Sequence, residues 1–156
     1  MKKNSGFTLV EILIVVIILG ILAAIVIPQF TQASNDARES ALSSDLQTVR
    51  SQLELYKVQH LEAYPAAATF VTQLTSRTNS AGTVMPDGAT ATDYPFGPYL
   101  QKFPSNTFVP TVANQATVKT GTADIAAGDG STGWYFNTAT GKFVPNDTVG
   151  DHATKL

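Results

Sequence analysis

The sequence predicts an α+β fold: a long N-terminal helix whose second half packs on a small C-terminal antiparallel sheet. Three observations carry that expectation. An apolar run fills positions 7–27, a helical apolar period follows it to about position 64, and two aromatic-rich runs flank a short glycine-ended connection near the C-terminus.

The apolar run FTLVEILIVVIILGILAAIVI extends from Phe7 to Ile27 with Glu11 as its only charge. As a helix it would span about 31 Å at about 1.5 Å per residue, close to the roughly 30 Å hydrocarbon thickness of a bilayer. A soluble core helix of that length would carry a polar face, and this one has none. The segment is therefore expected in a membrane. Lys2 and Lys3 would hold the N-terminus on the cytoplasmic side, leaving everything after Pro28 on the far side.

Beyond Pro28, the residues Phe30, Ala33, Ala37, Leu42, Leu46, Val49, Leu53 and Tyr56 recur mostly three or four apart, a helical stripe. Asp36, Arg38, Glu39, Asp45, Gln47, Arg50 and Glu54 lie between them as a solvated face. Glu54 and Lys57 are spaced to pair weakly, and Tyr64-Pro65 reads as the stop. Joined together, the two regions make one helix of roughly 55 residues. Pro28 removes a backbone donor inside it and displaces the Ala24 carbonyl, so a kink or loosened turn is expected there. The expected division is a membrane helix over 7–28, its amphipathic continuation over 29–65, and a small globular region over 66–156.

In that last region Phe70, Val71 and Leu74 anchor a short helix. Positions 79–93 read as a loop with a Pro86-Asp87-Gly88 turn. The run from Gly133 to Asn137 and the run from Lys142 to Pro145 flank Thr138-Ala139-Thr140-Gly141, the pattern of a hairpin. Val118 and its neighbours offer a further strand. Trp134, Tyr135, Phe136 and Phe143 are expected as sheet core rather than a ligand platform. The sheet and the helix stripe should cover each other, since neither has another partner.

Composition excludes several functions. The 156 residues are the size of one domain, and charged residues make up 14%, below the roughly 25% usual in soluble domains. A net charge of −2 and scattered lysines give no attraction to nucleic acid. With no cysteine there is no disulfide framework, thiolate site or cysteine nucleophile. Neither a GxxxxGK[ST] phosphate loop nor a G-x-S-x-G elbow occurs. His60 and His152, the only histidines, read as solvated loop residues rather than metal ligands. Asp124, Asp129, Asp147 and Asp151, with Asn146, are oxygen donors without the EF-hand pattern, and read as a polar loop.

The start Lys2-Lys3-Asn4-Ser5-Gly6-Phe7-Thr8-Leu9-Val10-Glu11, with its apolar run, resembles the class III signal of type IV pilins and type II secretion pseudopilins. The resemblance implies a leader over residues 1–6, cut after Gly6 by a membrane prepilin peptidase that methylates the new N-terminal Phe7. It makes Glu11 the assembly carboxylate, and Gly20 and Pro28 match positions where the family's helix loosens inside the filament. A carboxylate in an apolar helix costs a few kcal/mol and needs a partner. Cleavage would supply one, the α-ammonium of Phe7 on a neighbouring subunit.

Two further stretches, Asp45 through Lys57 up to Tyr64-Pro65 and Gly97 through Pro104, are similar to major pseudopilins. They favour a secretion pseudopilin over a pilus-forming subunit for adhesion, motility or DNA uptake. The resemblance then implies a ladle-shaped, single-pass inner-membrane protein with a periplasmic C-terminal domain. Its partners would be copies of itself, other pseudopilins, the peptidase and an assembly platform driven by a separate ATPase. No cofactor is called for, although the family raises calcium, for which Asp124, Asp129, Asn146 and Asp147 are the candidates. The chain departs from the family's acidic calcium loop. A third reading, a secreted or anchored enzyme, needs cleavage near Ala33, where Thr31-Gln32-Ala33 is a poor site, and a catalytic constellation that the sequence lacks.

Overall fold

A computed structural model describes residues 6–150 and 152–156; Lys2 and Lys3 of the expected leader, and Asp151, lie outside the described residues. In chain order the elements are α1 (Leu9–Gln59), α2 (Phe70–Thr75), β1 (Val118–Gly121), β2 (Trp134–Asn137), β3 (Phe143–Pro145) and α3 (His152–Lys155), with single 3-10 turns at Ala67–Thr69 and Val112–Asn114. The chain forms two compact units, one ending at Ser40 and one of Ala41–Leu156, and α1 contributes to both.

The first unit is helix alone. Ile12, Leu13, Ile14 and Val15 step round the helix at about 100° each, yet are 52%, 53%, 52% and 51% exposed. No side of this helix is covered, and it is long and apolar enough to cross a membrane. Gly20 and Pro28 both lie inside α1, and the helix continues through both. Just past the proline, the Thr31 hydroxyl donates to the Ile27 carbonyl at 3.1 Å.

In the second unit α1 buries Leu42, Leu46, Val49, Leu53 and Tyr56, spaced four, three, four and three. That spacing keeps one narrow seam on one side of a helix. The stripe is shorter than its sequence period, because Phe30, Ala33 and Ala37 are exposed and burial starts at Leu42. Periodicity sets where a helix can bury a face, and a partner must still be present there.

The helix also ends earlier than the Tyr64-Pro65 stop. Leu61 and Glu62 take positive φ of 55° and 65°, and the Glu62 N–H returns to the Lys57 carbonyl at 3.0 Å. This is a left-handed closure that normally uses glycine, which is why the sequence gives no sign of it. Lys57 feels the carboxylate of Glu54 as expected and stands 3.7 Å from that of Glu62, and its ammonium stands 5.1 Å from the centre of the Tyr64 ring.

The sheet has the order β1-β2-β3. β2 and β3 form the expected hairpin, antiparallel with Phe136 opposite Phe143. β1 instead runs parallel to β2, Val118 opposite Trp134, so the sheet is mixed rather than wholly antiparallel. A tight turn joins antiparallel neighbours, but parallel ones need a long return, and the segment 122–133 supplies it. At the hairpin turn Gly141 has φ of 75°, and a Cβ there would strike the Tyr64 hydroxyl.

Alternation along β2 sends Trp134 and Phe136 into the core with Phe143, Phe70, Leu74 and the α1 seam. Tyr135 and Val144 face the other way, onto Ala153 and Ile125. The central strand is thus buried on both faces, and α3, which the sequence reading did not include, covers the second. Arg50 fastens this assembly. Its Nε and Nη2 donate to the Phe143 carbonyl at 3.1 and 2.9 Å, and Nη1 donates to the Leu156 carbonyl at 2.7 Å.

The 79–93 stretch is irregular as expected, with Ala89 N–H closing a turn on the Pro86 carbonyl. Thr78, just ahead of it, forms isolated bridges with Val84 inside it and Phe96 beyond it. Leu46→Ala should lower unfolding free energy by about 2–5 kcal/mol. Leu55→Ala, on the exposed side of the same helix, should change it by less than about 0.5 kcal/mol. Thermal unfolding followed by Trp134 fluorescence measures both, and equal losses would contradict the seam.

Candidate processing and assembly site

Of the residues singled out by the sequence, Gly6, Phe7 and Glu11 lie at the start of α1, while Gly20 and Pro28 lie further along it. Gly6 and Phe7 precede the helix and are exposed, Phe7 to 84%. A Cβ on Gly6 would meet nothing within 4 Å, so nothing in this fold requires glycine there. Thr8 is the residue before the first helical position, and it binds Glu11 reciprocally. The Thr8 N–H and hydroxyl donate to Glu11 Oε2 at 2.9 and 2.8 Å, and the Glu11 N–H donates to Thr8 Oγ1 at 3.2 Å.

This is a capping box. The first turn of a helix has backbone N–H groups with no carbonyl behind them, and a Ser/Thr-x-x-Glu sequence answers them from both ends. The carboxylate also sits where the helix dipole favours negative charge. Thr8 is the partner of Glu11 that sequence reasoning passed over, although Thr8-Leu9-Val10-Glu11 ahead of an apolar run is its readable signal. Both bonds from Thr8 fall on the one oxygen of an exposed carboxylate. Glu11 therefore has a partner within its own chain before any neighbour arrives.

The four residues weighed for calcium do not converge. Asp124 Oδ1 accepts from Asn137 Nδ2 at 2.6 Å. Asp147 Oδ2 accepts from Asn106 Nδ2 at 2.7 Å, and its Oδ1 accepts from the Val149 N–H at 3.0 Å. Only Asp129 and Asn146 are joined, Nδ2 donating to Oδ1 at 2.7 Å. Among the described residues no group of three or more His, Cys, Asp or Glu is placed to hold a metal.

Both histidines are buried, against the expectation that they are solvated. His60 is 2% exposed and stacks on Tyr56 with centroids 3.7 Å apart. A carbonyl only accepts, so His60 Nδ1 donates to the Tyr56 carbonyl at 2.8 Å, leaving Nε2 to take the Thr78 hydroxyl at 2.9 Å. His152 meets Asp147 through Nδ1 at 2.9 Å and packs edge-on against Phe108. Each ring is an aromatic surface with polar partners, at both nitrogens in His60 and at Nδ1 in His152, a packing role that an isolated histidine in a loop-like sequence does not reveal.

The prokaryotic N-terminal methylation motif matches residues 1–27. The type II secretion system core protein G of Pseudomonas aeruginosa is 42% identical over 65 residues, 42% of this chain and 45% of that protein. The core protein G of Klebsiella pneumoniae is 32% identical over 106 residues, 68% of this chain and 70% of that protein. The chain belongs to the type II secretion system core protein G family. The core protein G of Vibrio cholerae is 28% identical over 106 residues, covering 66% of its length. No solved structure matches the chain. This family of pseudopilins is a structural one, and the long apolar helix with a small sheet on its second half is a pilin-like fold.

Asp129 offers a pH test of the pseudopilin's C-terminal region. The Lys119 ammonium first, then the Ser131 hydroxyl and N–H, and Asn146 hold its carboxyl well below the usual carboxylate range. The unfolded value is about 3.9, so its stabilisation is complete above that pH and lost as pH falls toward the folded value. Asp129→Asn should therefore cost most at neutral pH. Its difference from the parent in thermal midpoint should shrink below about pH 4, and a constant gap across that range would refute the assignment.

Proposed function

We propose that this pseudopilin is cut between Gly6 and Phe7 by a prepilin peptidase, methylated on Phe7, and polymerised from the inner membrane into a short periplasmic filament of type II secretion. The single observation that carries the reading is an apolar helix, uncovered on every side, that begins with a capped carboxylate. A helix exposed all round must be covered by lipid or by other copies, and a filament subunit passes from one to the other. Since the fold makes no demand for glycine at position 6, a requirement for it would belong to the peptidase.

Glu11 then exchanges partners. In the lone subunit it accepts from Thr8, whereas in the filament it would receive the α-ammonium of Phe7 from a neighbour. The Thr8 donors are neutral groups, whereas the ammonium sets a full positive charge against the carboxylate, so a neighbour arriving in register displaces the cap. Gly20 and Pro28 are where the packed helix would loosen. Residues 7–28 would form the filament core, 29–65 its continuation, and 66–156 the outer domain. The partners would be other pseudopilins and an inner-membrane platform, with the work supplied by a separate ATPase.

The N-terminus and mass of the membrane-derived protein test the first step. A methylated Phe7 is expected; a start beyond Ile27 would sink the filament reading. Glu11→Gln should be processed normally yet give about tenfold or more less cross-linked polymer. Polymer at the parental level would show that the charge is not needed. Gly6→Ala, tested alongside, should retain the uncut precursor.

A further inference from the structure

The β1–β2 connection, residues 122–133, carries two carboxylates, and each faces a lysine from the sheet. Asp129 Oδ2 accepts from Lys119 Nζ at 2.6 Å; Lys119 lies on β1. Asp124 Oδ2 stands 4.0 Å from Lys142 Nζ, which immediately precedes β3.

The groups that converge on Asp129 are all donors. Its Oδ1 accepts from the Ser131 N–H at 3.0 Å, the Ser131 hydroxyl at 2.6 Å and Asn146 Nδ2 at 2.7 Å. The orientation of the Asn146 amide is fixed independently. Its Oδ1 accepts from the Asp129 N–H at 3.3 Å, and its Nδ2 also donates to Thr132 Oγ1 at 2.8 Å. A calcium ion requires six to eight oxygen acceptors at about 2.3–2.6 Å. Here N–H and O–H hydrogens point at the Asp129 carboxylate, and Asp124, the other acid of the connection, accepts from Asn137 Nδ2 at 2.6 Å.

The backbone leaves no gap either. The Gly130 N–H donates to the Asn146 carbonyl at 2.7 Å. A Cβ on Gly128 would collide with the Asp147 carbonyl oxygen and the Asn146 backbone. The connection lies directly on the chain leaving β3, with glycine making the approach.

We propose that this connection is closed by the chain's own ammonium groups, Lys119 above all, in place of a bound divalent cation, so that the folded C-terminal region is indifferent to calcium. Lys119 supplies the positive charge and ties β1 to the connection, while Asn146 ties the connection to the end of β3. This inference concerns the Ala41–Leu156 unit by itself and stands whether or not the subunit polymerises.

The test uses the full chain in detergent micelles. Thermal unfolding by Trp134 fluorescence and hydrogen exchange of peptides covering 122–133 are measured in chelator, and in calcium and magnesium chloride at matched ionic strength. The parent should give the same midpoint and the same exchange in all three. Lys119→Gln should exchange about two- to fivefold faster in the connection, and Lys119→Arg should restore the parental rate. A parent stabilised by calcium over magnesium, or loosened by chelator, would overturn the proposal without reference to any variant. A Lys119→Gln protein with parental exchange would overturn it as well.

Discussion

The constraint on which the rest depends is an apolar helix with nothing of its own chain to bury against. Each large apolar side chain taken out of water is worth about 1.5–3 kcal/mol, and between Leu9 and Ile27 almost every position is of that kind. No conformation of the remaining residues is used to recover that free energy. Lipid or other subunits must supply it, and the same surface suits both because neither offers it a polar contact. A subunit that can be stored in a bilayer and withdrawn into a filament needs those two states close in free energy. Non-directional apolar contact makes them so, whereas a specific polar face would commit the helix to one of them.

Specificity then has to come from the few polar atoms at the helix head. Thr8 and Glu11 give the isolated helix a closed first turn, so the carboxylate need not enter the membrane unpartnered. A bare glutamate at that position would carry its full desolvation cost. The capping box lowers that cost without neutralising the charge, leaving an anion available to any cation that approaches in register. In the proposed exchange of partners, one carboxylate serves both states because a cap and a salt bridge use the same lone pairs.

The second half of α1 obeys a different rule. There the seam from Leu42 to Tyr56 is narrow, and a sheet of only three strands covers it. So small a sheet survives because β2 is buried on both faces and because Arg50 holds β3 and the C-terminal residue with three charge-assisted bonds. The sequence made the membrane run, the seam and the hairpin legible, since each is a periodicity or a composition that a single segment displays. It did not display the parallel pairing of β1, which depends on where a long connection returns. Nor did it show the left-handed closure at Leu61 and Glu62, made without glycine, or the burial of His60 and His152. The histidine burial follows from neighbours that no local pattern marks: Thr78 for His60, and Phe108, distant in sequence, with Asp147, five residues back, for His152. At the functional end the gap was smaller. Thr8 was in plain view as part of a T-x-x-E pattern, but membership in an apolar run drew attention to Glu11 alone.

The two ends of the chain solve one physical problem in different ways. A carboxylate that must stay charged at low cost needs donors arranged around it in advance. At Asp129 the donors are permanent: a lysine, a serine and an asparagine, with the Asp129 N–H and the Thr132 hydroxyl holding the asparagine in orientation. The lone pairs are taken, so the site is closed and contributes rigidity. At Glu11 the donors are a single threonine, both of its bonds on one oxygen, at an exposed helix end. That arrangement is sufficient to hold the group and insufficient to saturate it. The difference in donor number, rather than any difference in the acid itself, separates the saturated carboxylate of Asp129 from that of Glu11, on which the proposed exchange of partners rests.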